Sequence, residues 1–227
     1  MSFFQRLIAE TAEGRMALAA TPQIQDGLAG AISRETYVAY LTEAYHHVKH
    51  TVPLLRAAKA RLDEAHAPFK AALDEYIAEE TGHELWILND IRNSGGDAEA
   101  VRSGQPREAT RRMVEFAYDY IDRVNPMGFF GMVLVLEGTS VALATQGAEA
   151  VAKSLGLGPA SFTYLTSHGA LDQDHMVFFQ RLMDRVDDPA DQDAIVEMAK
   201  AMFGLFADVF RAIPHERPQG REAAHAV

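Results

Sequence analysis

The stretch that decides the fold class is residues 127–155, MGFFGMVLVLEGTSVALATQGAEAVAKSL. It is far longer than a typical strand, and Glu137 is the only charge in its first half. Glycine, threonine, serine and glutamine interrupt the apolar run, and a carboxylate inside lipid is costly, so a membrane span is disfavoured. The pattern therefore predicts a fully buried helix of a soluble protein.

The segments on either side of this helix also show helical periodicity. Further helices are predicted over residues 2–12, 22–30, 33–62, 68–92, 107–123, 161–186 and 190–212. A kink is expected at Pro53, since proline removes a helical hydrogen bond. No segment alternates apolar and polar residues between turn signals, as a strand would. The sequence predicts one all-α domain over residues 1–213 and a flexible tail over residues 214–227.

The composition limits the classes of function. The formal net charge is −11, which disfavours attraction to nucleic acid or to an anionic membrane. The chain has no cysteine, which rules out disulfides, thiolate metal ligands and a cysteine nucleophile. Neither a phosphate-binding loop, nor a nucleophile elbow, nor the zincin motif is present. No signal peptide is recognisable, and we expect a cytoplasmic protein.

Residues 168–175, HGALDQDH, place three polar side chains on one stripe of a helix. His168, Asp172 and His175 stand at positions i, i+4 and i+7. The same stripe continues in apolar residues, so the three polar groups interrupt a face that is otherwise typical of a core. Buried polar groups need partners. A metal ion is one such partner, and a hydrogen-bonded histidine–aspartate pair in the core is the alternative.

Two other places repeat this anomaly. Glu137 lies on the apolar helix, where a lone carboxylate must be neutral, ion-paired or metal-bound. A salt bridge from Glu137 to Arg111 or Arg112 is the alternative to a metal. Glu80 and His83 have the Glu-x-x-His spacing, which places both side chains together on one helix, as in two-metal bundle proteins. Such pairs also occur by chance on solvated helices.

The helix that carries Glu80 and His83 offers two further candidates. Glu79 stands four residues before His83 and is a competing ligand. Tyr76 continues the same face and is a candidate for the pocket wall.

A polar cluster also lies within the predicted helix 33–62. Glu43 and His47 are spaced i, i+4 at the edge of its core face, so both could face a central cavity. A plain surface role for His47 is the alternative. His46 and His50 are predicted to lie at the surface.

The candidate metal ligands number three carboxylates and three imidazoles: Glu80, His83, Glu137, His168, Asp172 and His175. This mixture suits iron or manganese better than structural zinc, and it is too rich in nitrogen for calcium or magnesium. It also exceeds what one tetrahedral ion needs. Two metal ions, or one tightly bound and one labile, are therefore the natural count, and we expect two iron ions with manganese as the alternative metal.

The combination of Glu80-Thr-Gly-His83, Glu137 and His168-x3-Asp172-x2-His175 resembles the haem-oxygenase-like diiron oxidases. These proteins are also called iron-containing redox enzymes and are relatives of TenA and PqqC. The resemblance covers most of the chain and implies a compact seven-helix bundle, with these residues holding non-haem iron at its centre. It further implies an enzyme that uses O₂ to attack a small organic molecule such as a fatty acid or an amino acid. A homodimer is compatible with it.

The sequence matches the requirements of related families less well. TenA-type thiaminases use a cysteine nucleophile, which this chain lacks. Haem oxygenases use a histidine on the first helix, and the first histidine here is His46. Some diiron members contribute a further glutamate from the early helix, where this chain has His46 and His47. A TenA/PqqC-like small-molecule binder, or a metal-independent enzyme of the same fold, is the alternative function.

Overall fold

The computed structural model describes residues 1–215, apart from the side chains of residues 168–174. In this part of the chain every regular element is helical, which confirms the all-α class. The α-helices are α1 (Phe3–Glu10), α2 (Ala12–Ala19), α3 (Pro22–Leu28), α4 (Arg34–Val48), α5 (Thr51–Arg61), α6 (Ala67–Glu80), α7 (His83–Asn93), α8 (Ala98–Ser103), α9 (Glu108–Arg123), α10 (Phe129–Leu155), α11 (Thr163–Met183) and α12 (Pro189–Ala212).

The longest helix, α10, lies at the centre of the bundle and packs against α11 and α12. Its first two turns, residues 129–135, are buried on all sides. The two helices approach closely at Gly131, since a Cβ atom there would lie 2.3 Å from the carbonyl oxygen of Ile195 in α12. The second half exposes one face, which includes Val141, so the prediction of full burial was wrong for that half.

This helix and the turn before it, Pro126–Leu155, are long and apolar enough to cross a membrane. They are the one such stretch among the residues described here. Yet 61% of its most apolar window is buried against the other helices. Burial of this kind is what the core helix of a soluble bundle shows.

The predicted helix 33–62 is two helices, which meet at Lys49 and His50. The disruption predicted at Pro53 therefore falls about one turn earlier, because a proline has no N–H to donate to the carbonyl four residues before it, that of Lys49. Pro53 lies in the first turn of α5, where the backbone N–H groups have no partner within the helix, so a proline there costs no hydrogen bond.

The predicted helix 68–92 is also two helices. The break falls at Thr81 and Gly82, and Gly82 has a φ angle of +98°, which side chains other than glycine rarely adopt. Glu80 is therefore the last residue of α6, and His83 is the first of α7. The prediction that the Glu-x-x-His pair lies on a single helix was wrong.

The helices pack around two clusters of buried apolar residues. The larger cluster joins α10 and α12 to α5, α6 and α9, and the smaller one lies mainly between α4 and α7. A cavity lies between the two clusters. Leu54 and Val133 of the larger cluster line it, as do Tyr37 and Val151 of the smaller one. The division into one domain and a tail stays a prediction, and residues 216–227 of that tail lie outside the described residues.

Candidate metal centre

Three side chains from three helices converge inside the bundle. Glu80 of α6, Glu137 of α10 and His175 of α11 each offer a ligand atom, and these atoms lie within 4.8 Å of one another. The exposed fractions of the three residues are 7%, 8% and 9%. Two carboxylates and an imidazole at this spacing can hold a divalent metal ion.

His83 lies beside this cluster. Its Nδ1 is 3.0 Å from Oε2 of Glu80, and its ring stacks on Trp86 with the centroids 4.0 Å apart. The bend at Gly82 separates the two helices, but this contact keeps His83 next to Glu80. His83 therefore orients the Glu80 carboxylate, and its role as a metal ligand stays a prediction.

His175 lies between two carboxylates. Its Nδ1 is 3.4 Å from Oε1 of Glu137, and its Nε2 is 2.8 Å from Oε2 of Glu79. Glu79 was predicted to compete with Glu80 beside His83, but its carboxylate faces α11 instead. Tyr76 meets the His175 ring edge-on, with the centroids 5.7 Å apart.

The side chains of His168 and Asp172 fall within residues 168–174 and lie outside the described residues. The backbone of this stretch belongs to α11. On a helix, both residues share a stripe with His175. Their role as ligands stays a prediction.

Asp90 of α7 accepts hydrogen bonds from the first residues of α11. Its carboxylate accepts hydrogen bonds from the backbone N–H groups of Thr163 and Tyr164, at 3.0 Å and 2.8 Å, and from the Thr163 hydroxyl at 2.5 Å. Burial raises the pKa of Asp90, and these hydrogen bonds act in the opposite direction. Asp90 thereby joins the helix that carries His83 to the helix that carries His175.

Glu43 does not line the central cavity, so the prediction that it could face this space was wrong. Its carboxylate accepts hydrogen bonds from the N–H of Arg107 at 3.1 Å and from the hydroxyl of Thr110 at 2.5 Å. These donors stand at the start of α9, whose N-terminal N–H groups need acceptors. Because α9 packs against α4, an edge position on the core face of α4 meets another helix instead of the cavity.

The two adjacent histidines of α4 differ in their surroundings. His47 lines the central cavity, and its ring meets Phe206 edge-on. His46 was predicted at the surface, but it is 1% exposed. Burial lowers the pKa of His46 to about 4, so its ring is neutral, and its Nδ1 lies 3.1 Å from Nζ of Lys49. Helices packed on more than one side of α4 cover this position, which the amphipathic pattern of α4 alone did not reveal.

The cavity next to the site has a volume of about 190 Å³. Its wall includes Glu80, Glu137 and Tyr76, and it reaches α3 and the end of α12 through Ile24 and Ile213. Most of the remaining wall is aliphatic or aromatic. The site therefore opens onto a largely apolar space, which can hold an apolar molecule and exclude water.

The ionisable neighbours that the structure describes for the two site carboxylates are histidines, His83 for Glu80 and His175 for Glu137. Arg111, the alternative partner of Glu137, instead pairs with Glu108 and Glu115 of its own helix. Two nearby carboxylates repel each other when both are ionised. A cation between them relieves this repulsion, so the donor set fits a metal ion.

Comparisons with known proteins agree with this arrangement. The family model described as iron-containing redox enzyme matches residues 38–207. A solved domain with a heme oxygenase-like fold from Shewanella denitrificans OS217 matches with a TM-score of 0.84 at 23% identity, over 94% of this chain and 92% of that one. A TenA homologue from Pseudomonas syringae matches with a TM-score of 0.75 at 11% identity, over 91% and 90%.

Heme oxygenase-1 from the cyanobacterium Synechocystis, solved in complex with heme, matches with a TM-score of 0.73 at 11% identity, over 93% of this chain and 91% of that one. The comparison with curated proteins found no significant match. At these identities the structural matches show the shared fold, a heme oxygenase-like bundle. The family model is more specific, and its range includes all three converging residues. The chain therefore belongs to the family of iron-containing redox enzymes.

Proposed function

We propose that the protein is a non-haem iron-dependent oxidase or oxygenase that acts, with O₂, on a small organic molecule. The observation that carries this proposal is the convergence of Glu80, Glu137 and His175 inside a protein of an iron-containing redox family. Mixed carboxylate and imidazole donors suit iron, with manganese as the alternative. A second iron is part of the proposal, and the residues proposed for it are His83, His168 and Asp172.

Iron held at this site would supply the one-electron chemistry with dioxygen that amino-acid side chains lack. The protein residues would bind the ion and orient its ligands. Glu80 and Glu137 supply negative charge, and His83 fixes the direction of the Glu80 carboxylate through its hydrogen bond. The apolar wall of the cavity excludes water, which strengthens every electrostatic interaction inside the site.

The cavity wall favours a substrate with an apolar part. Aliphatic and aromatic side chains such as Leu54, Val133 and Phe206 make up most of it. Its volume of about 190 Å³ is below the range of roughly 300–1,000 Å³ that is typical of drug-sized ligands. We therefore propose a small fatty acid ahead of a polar amino acid as the substrate class. The same volume disfavours a bulky haem macrocycle.

The TenA-like structural match supports a second candidate function, which is small-molecule binding or metal-independent catalysis in the same cavity. In that case Glu80, Glu137 and His175 would bind a cationic or hydrogen-bonding group of the ligand directly. The chain lacks cysteine, so such an enzyme would use a different nucleophile from the cysteine of TenA-type thiaminases.

The fluorescence of Trp86 can report metal binding, which distinguishes the two candidate functions. Trp86 is the only tryptophan in the chain, and it stacks on His83 beside the site. Anaerobic titration of metal-free protein with Fe(II) should change its fluorescence and saturate at a whole number of ions per chain. Glu137→Gln should weaken the binding by roughly a hundredfold or more, since it removes a charged ligand. Glu149→Gln, at an exposed position of the same helix, is the matched control.

Two results would decide against parts of this proposal. Protein produced with iron that carries less than roughly a tenth of an equivalent, and takes up no O₂ with fatty acids, would favour the binding function. Saturation at one ion per chain would refute the second iron while leaving the oxidase function in place.

The proposal extends to partners and location. We propose a cytoplasmic protein that meets its substrate and O₂ in solution, takes electrons from a separate reductant and has no nucleic-acid or membrane partner. A homodimer is proposed from the family resemblance. Light scattering coupled to size exclusion would test it, since a mass of one chain would contradict the dimer.

A further inference from the structure

Glu79 and Glu80 are consecutive residues whose side chains contact different parts of the structure. Successive side chains on a helix point about 100° apart, so the two carboxylates at the end of α6 diverge. Glu80 points into the metal site, while Glu79 reaches His175 of α11. The side chain of Glu79 is 55% exposed and that of His175 is 11% exposed, so Glu79 contacts the ring from the solvent side.

The two ring nitrogens of His175 therefore face opposite ways. Nε2 lies 2.8 Å from the Glu79 carboxylate, within ion-pair distance, so the negative charge of Glu79 favours a proton on this nitrogen. Nδ1 lies on the side of the site carboxylates, 3.4 Å from Oε1 of Glu137. A neutral imidazole carries its proton on one nitrogen and a lone pair on the other. A proton held on Nε2 by Glu79 leaves the lone pair on Nδ1, which faces the site.

We propose that Glu79 is a positioning residue, which holds His175 in the tautomer whose Nδ1 lone pair is directed at the metal. This inference rests on the proposed metal centre. Histidines that bind metals commonly donate their second N–H to a carboxylate, and losing that partner typically costs about ten- to a hundredfold in metal affinity. An exposed ion pair of this kind contributes little to folding by itself, so metal binding is the quantity it should change.

The test compares Glu79→Ala, Glu79→Gln and the control Glu75→Ala, which changes another exposed glutamate of α6. Anaerobic Co(II) titration gives the dissociation constant through Trp86 fluorescence, and the visible Co(II) spectrum reports the coordination. Glu79→Ala should weaken Co(II) binding by about ten- to a hundredfold without changing the form of the spectrum. Glu79→Gln keeps an oxygen acceptor for Nε2–H, so its loss should be smaller. Glu75→Ala should bind like the wild type.

A second measurement needs no metal. Long-range ¹H–¹⁵N spectra of metal-free protein distinguish the two tautomers of a histidine, and His175→Gln identifies the signal. The wild type should show His175 protonated on Nε2, and Glu79→Ala should shift it towards a mixture of tautomers. A surface ion pair alone would instead require an imidazolium, which shows both ring nitrogens of His175 protonated in the wild type.

Three outcomes would overturn the inference. If the wild type binds Co(II) and Glu79→Ala binds it equally well, Glu79 does not position His175. If both Glu79 variants change the form of the Co(II) spectrum, Glu79 is itself a ligand. If the wild type binds neither Co(II) nor Fe(II), the proposed metal centre fails, and the inference fails with it.

Discussion

At the scale of the residue, four of the buried acids that the structure describes have two kinds of partner. Glu80 and Glu137 lie near each other and near histidines, whereas Glu43 and Asp90 accept hydrogen bonds from the starts of α9 and α11. All look alike in the sequence, as a charged residue in a largely apolar pattern. A bound cation would stabilise only the first pair of carboxylates, Glu80 and Glu137. Helix N–H groups already stabilise the charge of the second pair.

Replacing Glu43 by alanine should therefore destabilise the fold without affecting the metal site. The variant leaves the N–H of Arg107 and the hydroxyl of Thr110 without their acceptor, which costs about 1–3 kcal/mol. Urea unfolding measures this loss, and Fe(II) titration should give the wild-type stoichiometry. Glu35→Ala, at an exposed position of the same helix, should cost less than about 1 kcal/mol. Loss of iron binding with wild-type stability would instead place Glu43 in the site.

At the scale of the element, one backbone break decides how the candidate ligands are presented. A continuous helix over residues 68–92 would hold Glu80 and His83 on the same face. The break at Gly82 lets α7 start in a new direction, so that Asp90 at its far end reaches α11. Thr81 and Gly82 were the sequence signal for this break, because a glycine in the left-handed conformation commonly ends a helix.

Changing Asp90 to asparagine should weaken both the fold and the metal site. The amide can accept through one oxygen only, and its NH₂ group would face a backbone N–H at the start of α11. We expect a loss of about 2 kcal/mol in unfolding free energy and weaker Fe(II) binding, because α11 carries His175.

Asp97→Ala is the matched control for this variant. Asp97 accepts hydrogen bonds from the backbone N–H groups of Glu99 and Ala100 at the start of α8, which carries no candidate ligand. Asp97→Ala should lower the stability by about 1 kcal/mol and leave Fe(II) binding unchanged. Wild-type Fe(II) affinity in Asp90→Asn would show that the hydrogen bonds between Asp90 of α7 and the start of α11 do not support the site.

At the scale of the whole molecule, the cavity exists only because distant parts of the chain meet. Its wall runs from Gln23 of α3 to Ile213 after α12, and it takes residues from both apolar clusters. No single helix carries enough of this wall to reveal it. The proposed substrate class therefore depends on the packing of the bundle and not on any one motif.

A large side chain that fills the cavity should weaken substrate binding and leave Fe(II) binding unchanged. Ala144 of α10 is buried and lines the cavity, so Ala144→Phe places an aromatic ring in that space. A series of straight-chain carboxylates, measured by calorimetry, should bind at least about tenfold more weakly, while Fe(II) titration should be unchanged. Ala144→Leu is the milder variant if the phenylalanine prevents folding. Ala142→Phe, on the exposed side of α10, is the control, and equal binding by both variants would contradict the pocket.

The all-α class and the apolar central helix follow from the sequence alone, and its motif indicated the family. Helical periodicity is readable because it is contained within a few turns of one helix, and the motif is readable because its short spacings are fixed along the chain. The partners of Glu43 and Glu79 and the burial of His46 depend on the tertiary structure. Those partners lie on other helices or depend on how helices pack, and no pattern within one helix contains that information.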